Sequence, residues 1–213
     1  DALYVSPMLR ALQTARPLAQ ALGLKPQVWV DIHEHGGIFT GSTTAGTLAP
    51  EPGLSAAAII AQFPGYQVGP GIDERGWWWG GYEEMDVCHQ RAKRVAARLL
   101  EMAEETPDAR IALVSHGTFL DALLHALILP NEPYGERMHF SHLNTAYSRV
   151  DFRRQAYVPP TLASNPQAMT NQDGVSPDGA NQDGANRDGA AQDAGPRSDI
   201  RLVLRYLNRI DHL

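Results

Sequence analysis

The chain opens on Ala2-Leu3-Tyr4-Val5, an apolar run of strand length with no polar face, which predicts a buried strand. Ser6-Pro7 then suit the N-cap and first position of a helix. Leu9, Leu12, Ala15/Arg16 and Leu18/Ala19 recur at helical spacing, and Gly23 supplies the stop. Gln27 to Val30 predict a second strand, with Val28 and Val30 on one face. From Gly36 to about Gly81 the periodicity dissolves into Gly, Pro, Ser and Thr, broken by Ala56 to Ile60 and by Trp77-Trp78-Trp79. A connection of that length inside a domain predicts a lid or substrate-covering insertion, placed at 40–81. Glu83 to Glu105 form the clearest helix, with Met85, Cys88, Ala92, Val95/Ala96, Leu99 and Met102/Ala103 along one face. Arg110 to Ser115 predict a strand, and Gly117 to Leu129 a helix that is apolar except at Asp121 and His125. Strand followed by helix, repeated, predicts parallel strands with helices on both faces. Thr145 to Phe152 and Ile200 to Leu207 predict two further strands, antiparallel neighbours at one edge.

Between those last two strands, Asp173, Asp178, Asp183, Asp188 and Asp193 recur every five residues. So little apolar content cannot offset the entropy of ordering, so 161–198 are expected to be a solvated, dispensable loop. Neither an EF-hand loop nor a nine-residue calcium repeat is present, which argues against cation binding there.

Composition narrows the classes. The 213 residues predict one domain, and 18 basic against 24 acidic residues give a formal charge of −6. That balance provides no general attraction for nucleic acid or anionic lipid, so a bound anion needs a local site. Cys88 is the sole cysteine, which excludes an internal disulfide framework. No apolar run approaches the roughly 18 residues needed to cross a bilayer, and the expected location is cytoplasmic. The start at Asp1, directly before a buried strand, leads us to expect a segment upstream.

The strongest chemical signal is LVSHG, Leu113 to Gly117, where a buried strand gives way to a helix with His116 on the turn. Ligands of parallel α/β sheets bind beyond the carboxyl ends of the strands, where helix N-termini offer free N–H groups to anions. Gly117 would let backbone approach such an anion closely. Arg10, fourth from Ser6 in the first predicted helix, sits where the helix dipole disfavours a cation. A guanidinium fork aimed at phosphate explains it, and a solvated arginine is the alternative.

Ser6-Pro7-Met8-Leu9-Arg10-Ala11-Leu12-Gln13-Thr14-Ala15 resembles the SPLxRAxQTA element of the histidine phosphatase (phosphoglycerate mutase-like) superfamily. Val114 to Gly117, VSHG, is similar to that family's second histidine motif, and Asp31 to Gly37 resemble the stretch carrying its acidic residue. The chain's ending, from Tyr206 to Leu213, also resembles the family's C-terminal strand and tail. The resemblance implies a three-layer α/β/α sandwich around a mostly parallel sheet. It also implies phosphoryl transfer through a phosphohistidine, without metal or other cofactor, on a small phosphorylated substrate. Phosphomonoester hydrolysis is the expected outcome, and mutase-type transfer the nearest variant. By the same resemblance Arg10 clamps phosphate, His116 stabilises its equatorial oxygens as charge builds up, and Glu34 donates and then accepts the proton; Arg10, His116 and Gly117 are together the expected phosphate-binding residues.

One departure matters. RHG, the family's nucleophile motif, occurs nowhere, and the only His-Gly pairs are His35-Gly36 and His116-Gly117. We therefore expect residues 1–213 to be an N-terminally incomplete domain whose nucleophilic histidine and central strand lie upstream. A phosphate-binding module without catalysis is the rival reading. A second rival, zinc on His33, His35, His139 and His142, fits no common zinc spacing. Asp31 competes with Glu34 for the acid role, and at least one of Trp77 to Trp79 is expected to wall the substrate side.

Overall fold

The computed structural model describes residues 1–42, 44–135, 138–154 and 200–210. Four parallel strands make the central sheet: β1 (Ala2–Val5), β2 (Gln27–Val28), β5 (Gln67–Val68) and β6 (Ile111–Val114), in the order β5-β2-β1-β6. Helices α1 (Leu9–Leu22), α2 (Ala56–Gln62), α3 (Met85–Glu105) and α4 (Gly117–Ile128) flank it. Short strands β3 (Phe39–Thr40) and β4 (Ala49–Pro50) pair antiparallel.

Register shows how the strand sequences divide the layers. Tyr4 lies opposite Leu113, and Val5 lies between Val28 and Val114. Successive strand residues face opposite ways. Val5, Val28 and Val114 therefore meet Leu12, Ala15, Ile59 and Phe63 of the α1/α2 layer. Tyr4, Leu113 and Trp29 instead meet Cys88, Val95, Phe119 and Leu123 of the α3/α4 layer. This is the expected α/β/α arrangement. β6, although apolar, forms one edge of the sheet and is only half-buried.

Several boundaries differ from the sequence reading, each for a local reason. Helix α1 begins at Leu9 with Met8 as N-cap, not at Pro7 with Ser6 as cap; the Ser6 hydroxyl accepts the Met8 N–H at 3.3 Å and also lies 2.8 Å from His116 Nε2. Arg10 is therefore the second helical residue. Strand β2 stops at Val28, and Val30–Ile32 turn into a 3₁₀ helix that buries Ile32. Within 40–81, β5 joins the central sheet and Ile59 of α2 is fully buried in its core. β7 (Tyr147–Arg154) and β8 (Ile200–Arg209) pair with each other in a sheet of their own, separate from the central one.

The tryptophan run faces three ways. Trp77 is buried, Trp78 donates its indole N–H to the Gly81 carbonyl at 2.9 Å, and Trp79 is exposed beneath Arg75. Gly37, at φ +74°, lies so close to Trp78 that a Cβ there would overlap the indole. Gly53, at φ +70°, stands in the same relation to Trp77. The Asp-rich 161–198 segment lies outside the described residues. Among the described residues, no helix is long and apolar enough to cross a membrane.

Candidate active site

β1 and β6 run parallel side by side, so the turns that follow them emerge at one rim of the sheet. Ser6 comes off β1, its N–H bonded to the Val114 carbonyl of β6 at 3.0 Å. His116 comes off β6 as the N-cap residue of α4. Two residues 106 apart then meet: Arg10 Nε donates to His116 Nδ1 at 3.2 Å. On the other side of the ring, His116 Nε2 lies 2.8 Å from Ser6 Oγ. Arginine can only donate, so Nδ1 is the acceptor and the proton of the neutral ring resides on Nε2. Burial, followed by the nearby charges of Arg10, His33 and Arg91, lowers the His116 pKa to about 3. The imidazole is neutral at pH 7. Arg10 itself is exposed.

Glu34 reaches the same helix end. Its Oε1 accepts from the N–H groups of Phe119 and His35, both at 2.9 Å. Phe119 is the third residue of α4, so the carboxylate rests where the helix dipole favours negative charge. Gly117 begins α4, and a Cβ there would meet only the His142 carbonyl, at an ordinary 3.6 Å. Packing therefore does not require a glycine at that position. Asp31 enters this region through its backbone carbonyl, which accepts from Arg91. The structure thus brings Arg10, His116, Gly117 and Glu34 to one helix start.

Two groups there were not read from the sequence. Arg91 and Glu83 form a buried, doubly hydrogen-bonded pair, Nε to Oε1 at 2.8 Å and Nη2 to Oε2 at 2.6 Å. Burial alone would push the Glu83 carboxyl up, but the bonds and charge of Arg91 outweigh it and hold the pKa below its usual value. A signal was present: Arg91 stands at i+3 between Cys88 and Ala92, Val95, on the apolar face of α3. His33 is also buried, its Nδ1–H donating to the Val30 carbonyl at 2.7 Å and its ring packed on Trp77 and Trp78. Burial, then Arg91, lowers its pKa to about 4.

The four histidines weighed for zinc have separate surroundings. His139 bonds Asp121, and His142 bonds the Phe140 carbonyl and Ser148. Among the described residues, no three His, Cys, Asp or Glu converge as a metal site.

With this geometry in place, comparison gives the class. Residues 1–163 match the model of the histidine phosphatase superfamily, branch 1, and the chain belongs to that family. Among solved structures, the chain is similar to the ecdysone phosphate phosphatase EPPase from Bombix mori, crystallised with tungstate. That likeness has 16% identity and a TM-score of 0.46, and covers 83% of this chain and 67% of that one. None of the curated proteins matches the chain.

Proposed function

We propose that this protein transfers phosphoryl groups through a phosphohistidine and, at its natural length, hydrolyses small phosphomonoesters. The observation that supports this most directly is the Arg10–His116 contact at the rim shared by β1 and β6. Phosphoryl transfer depends mainly on positioning and on donors aimed at developing charge. Arg10 supplies a cationic fork, and neutral His116, whose one N–H lies on Ser6 Oγ here, supplies that donor when a phosphate oxygen takes the place of the hydroxyl. Glu34, held at the start of α4, protonates the leaving oxygen and then takes a proton from water. The route needs no metal. The family's nucleophile is the histidine of an RHG motif, and none of the eight histidines here stands in one.

The experiment is phosphate labelling of the natural-length protein by a radiolabelled phosphomonoester. The expected label survives alkali and is lost in acid, and release of free phosphate accompanies it. Absence of both label and turnover overturns the reading. Saturable binding of inorganic phosphate without either one would identify the rival, a phosphate-binding module, which the missing RHG favours.

A further inference from the structure

The Arg91–Glu83 pair is the most deeply buried arginine–carboxylate contact among the described residues, and the chemistry above does not use it. Neutralising a buried guanidinium requires one well-placed carboxylate, and Glu83 meets that need with two hydrogen bonds. Arg91 goes further. Its Nη1 donates to the Asp31 carbonyl at 2.6 Å and the His33 carbonyl at 3.0 Å. Its guanidinium carbon Cζ lies over the Phe119 ring, 4.5 Å from the ring centre. Phe119 is the residue whose N–H grips the Glu34 carboxylate. One side chain therefore touches both the backbone that presents Glu34 and the residue that receives it.

We propose that Arg91 is a positioning residue, holding Glu34 against the start of α4 by fixing the backbone at 31 and 33 and stacking on Phe119. A lysine could not replace it, because a compact point charge cannot reach a carboxylate with two parallel bonds, two carbonyls and the face of a ring at once. Its effect on turnover rests on the proposed role of Glu34 as proton donor. Its effect on geometry does not.

The test uses Arg91→Lys and Glu83→Gln in the natural-length protein, with two readouts. Hydrogen exchange at the Phe119 amide reports the Glu34 contact directly. In Arg91→Lys it is expected to quicken at least tenfold, while the melting transition stays cooperative. With p-nitrophenyl phosphate as probe, kcat is expected to fall at least tenfold. KM and inhibition by inorganic phosphate stay within twofold, and the acid limb of the pH–rate profile moves. Glu83→Gln, which keeps one acceptor, is expected to show the same pattern at smaller size and decides the matter if Arg91→Lys fails to fold. Unchanged Phe119 exchange in a folded variant overturns the proposal, as does an equal loss of kcat and phosphate affinity. Faster Phe119 exchange in the variant, where the unsubstituted protein itself shows no turnover, supports the clamp and overturns the phosphatase reading alone.

Discussion

Helix α4 carries a histidine at each end, and the two ends are built in opposite ways. At its start, the His116 ring is held between a cation and a hydroxyl, and Arg10 is open to solvent. In its last turn, buried His125 meets the rings of His89 and Tyr134 edge-on, at 5.2 and 5.3 Å between centres. The carboxylate tied to that cluster through Tyr134, Asp121 in the first half of α4, is engaged three times: it accepts from Tyr134 Oη, from the Phe140 N–H and from His139 Nδ1. One end offers donors and positive charge outward, and the other is closed on itself. Histidine density is similar in both, so it is the outward-facing donors that mark a site for an anion.

The largest expected difference is in turnover. His116→Ala should lower kcat roughly 10²–10³-fold, as loss of a preorganised donor does, while His125→Phe should change it only a few-fold. Equal losses in steady-state assays would erase the distinction between the two ends.

Acid should come next. His33 and His116 are neutral in the folded protein, with pKa values of about 4 and about 3 against 6.5 for an unperturbed histidine. The unfolded chain therefore binds more protons below pH 6.5. Stability is complete above that point and falls as pH drops through about 4 for His33 and about 3 for His116. The slope is about 1.4 kcal/mol per pH unit for each group. Burial lowers His89 too, so the closed end contributes in the same sense. Urea unfolding between pH 7 and pH 4 measures this, and a flat profile contradicts it.

Asp121→Asn removes charge from an acceptor with three donors and should cost roughly 1–3 kcal/mol of stability, leaving phosphate inhibition unchanged. Chemical denaturation and inhibition assays separate those outcomes. The smallest effect expected is for Arg10→Lys, about tenfold weaker inhibition by inorganic phosphate, or roughly 1.4 kcal/mol. Unchanged inhibition would remove Arg10 from the site.

Long elements were legible in the sequence: α3 and α4 lie within two residues of their predicted bounds, because an apolar stripe defines α3 and an almost unbroken apolar run after Gly117 defines α4. Arg10 and His116 were legible for another reason, since each stands where a buried strand turns into a helix. Ser6 shows where local rules stop. Its type and its neighbour Pro7 predict a cap, and its hydroxyl does accept the Met8 N–H, but the same oxygen also takes the His116 ring from 110 residues away and the helix starts only at Leu9. α2 and β5 were obscured because 7 and 2 residues carry too little periodicity to show through glycine-rich surroundings. Arg91 was hidden by its chemistry: a charged residue on an apolar stripe reads as solvated until its carboxylate and carbonyl partners are seen together.

The glycine–indole contacts constrain how this sequence can change. At residue 37, gain of any side chain is blocked while Trp78 keeps its ring, and residue 53 is bound to Trp77 in the same way. A lineage altering either glycine must first shrink the facing tryptophan, which strips packing from His33. Variation at these four positions should thus occur in a fixed historical order, aromatic before glycine.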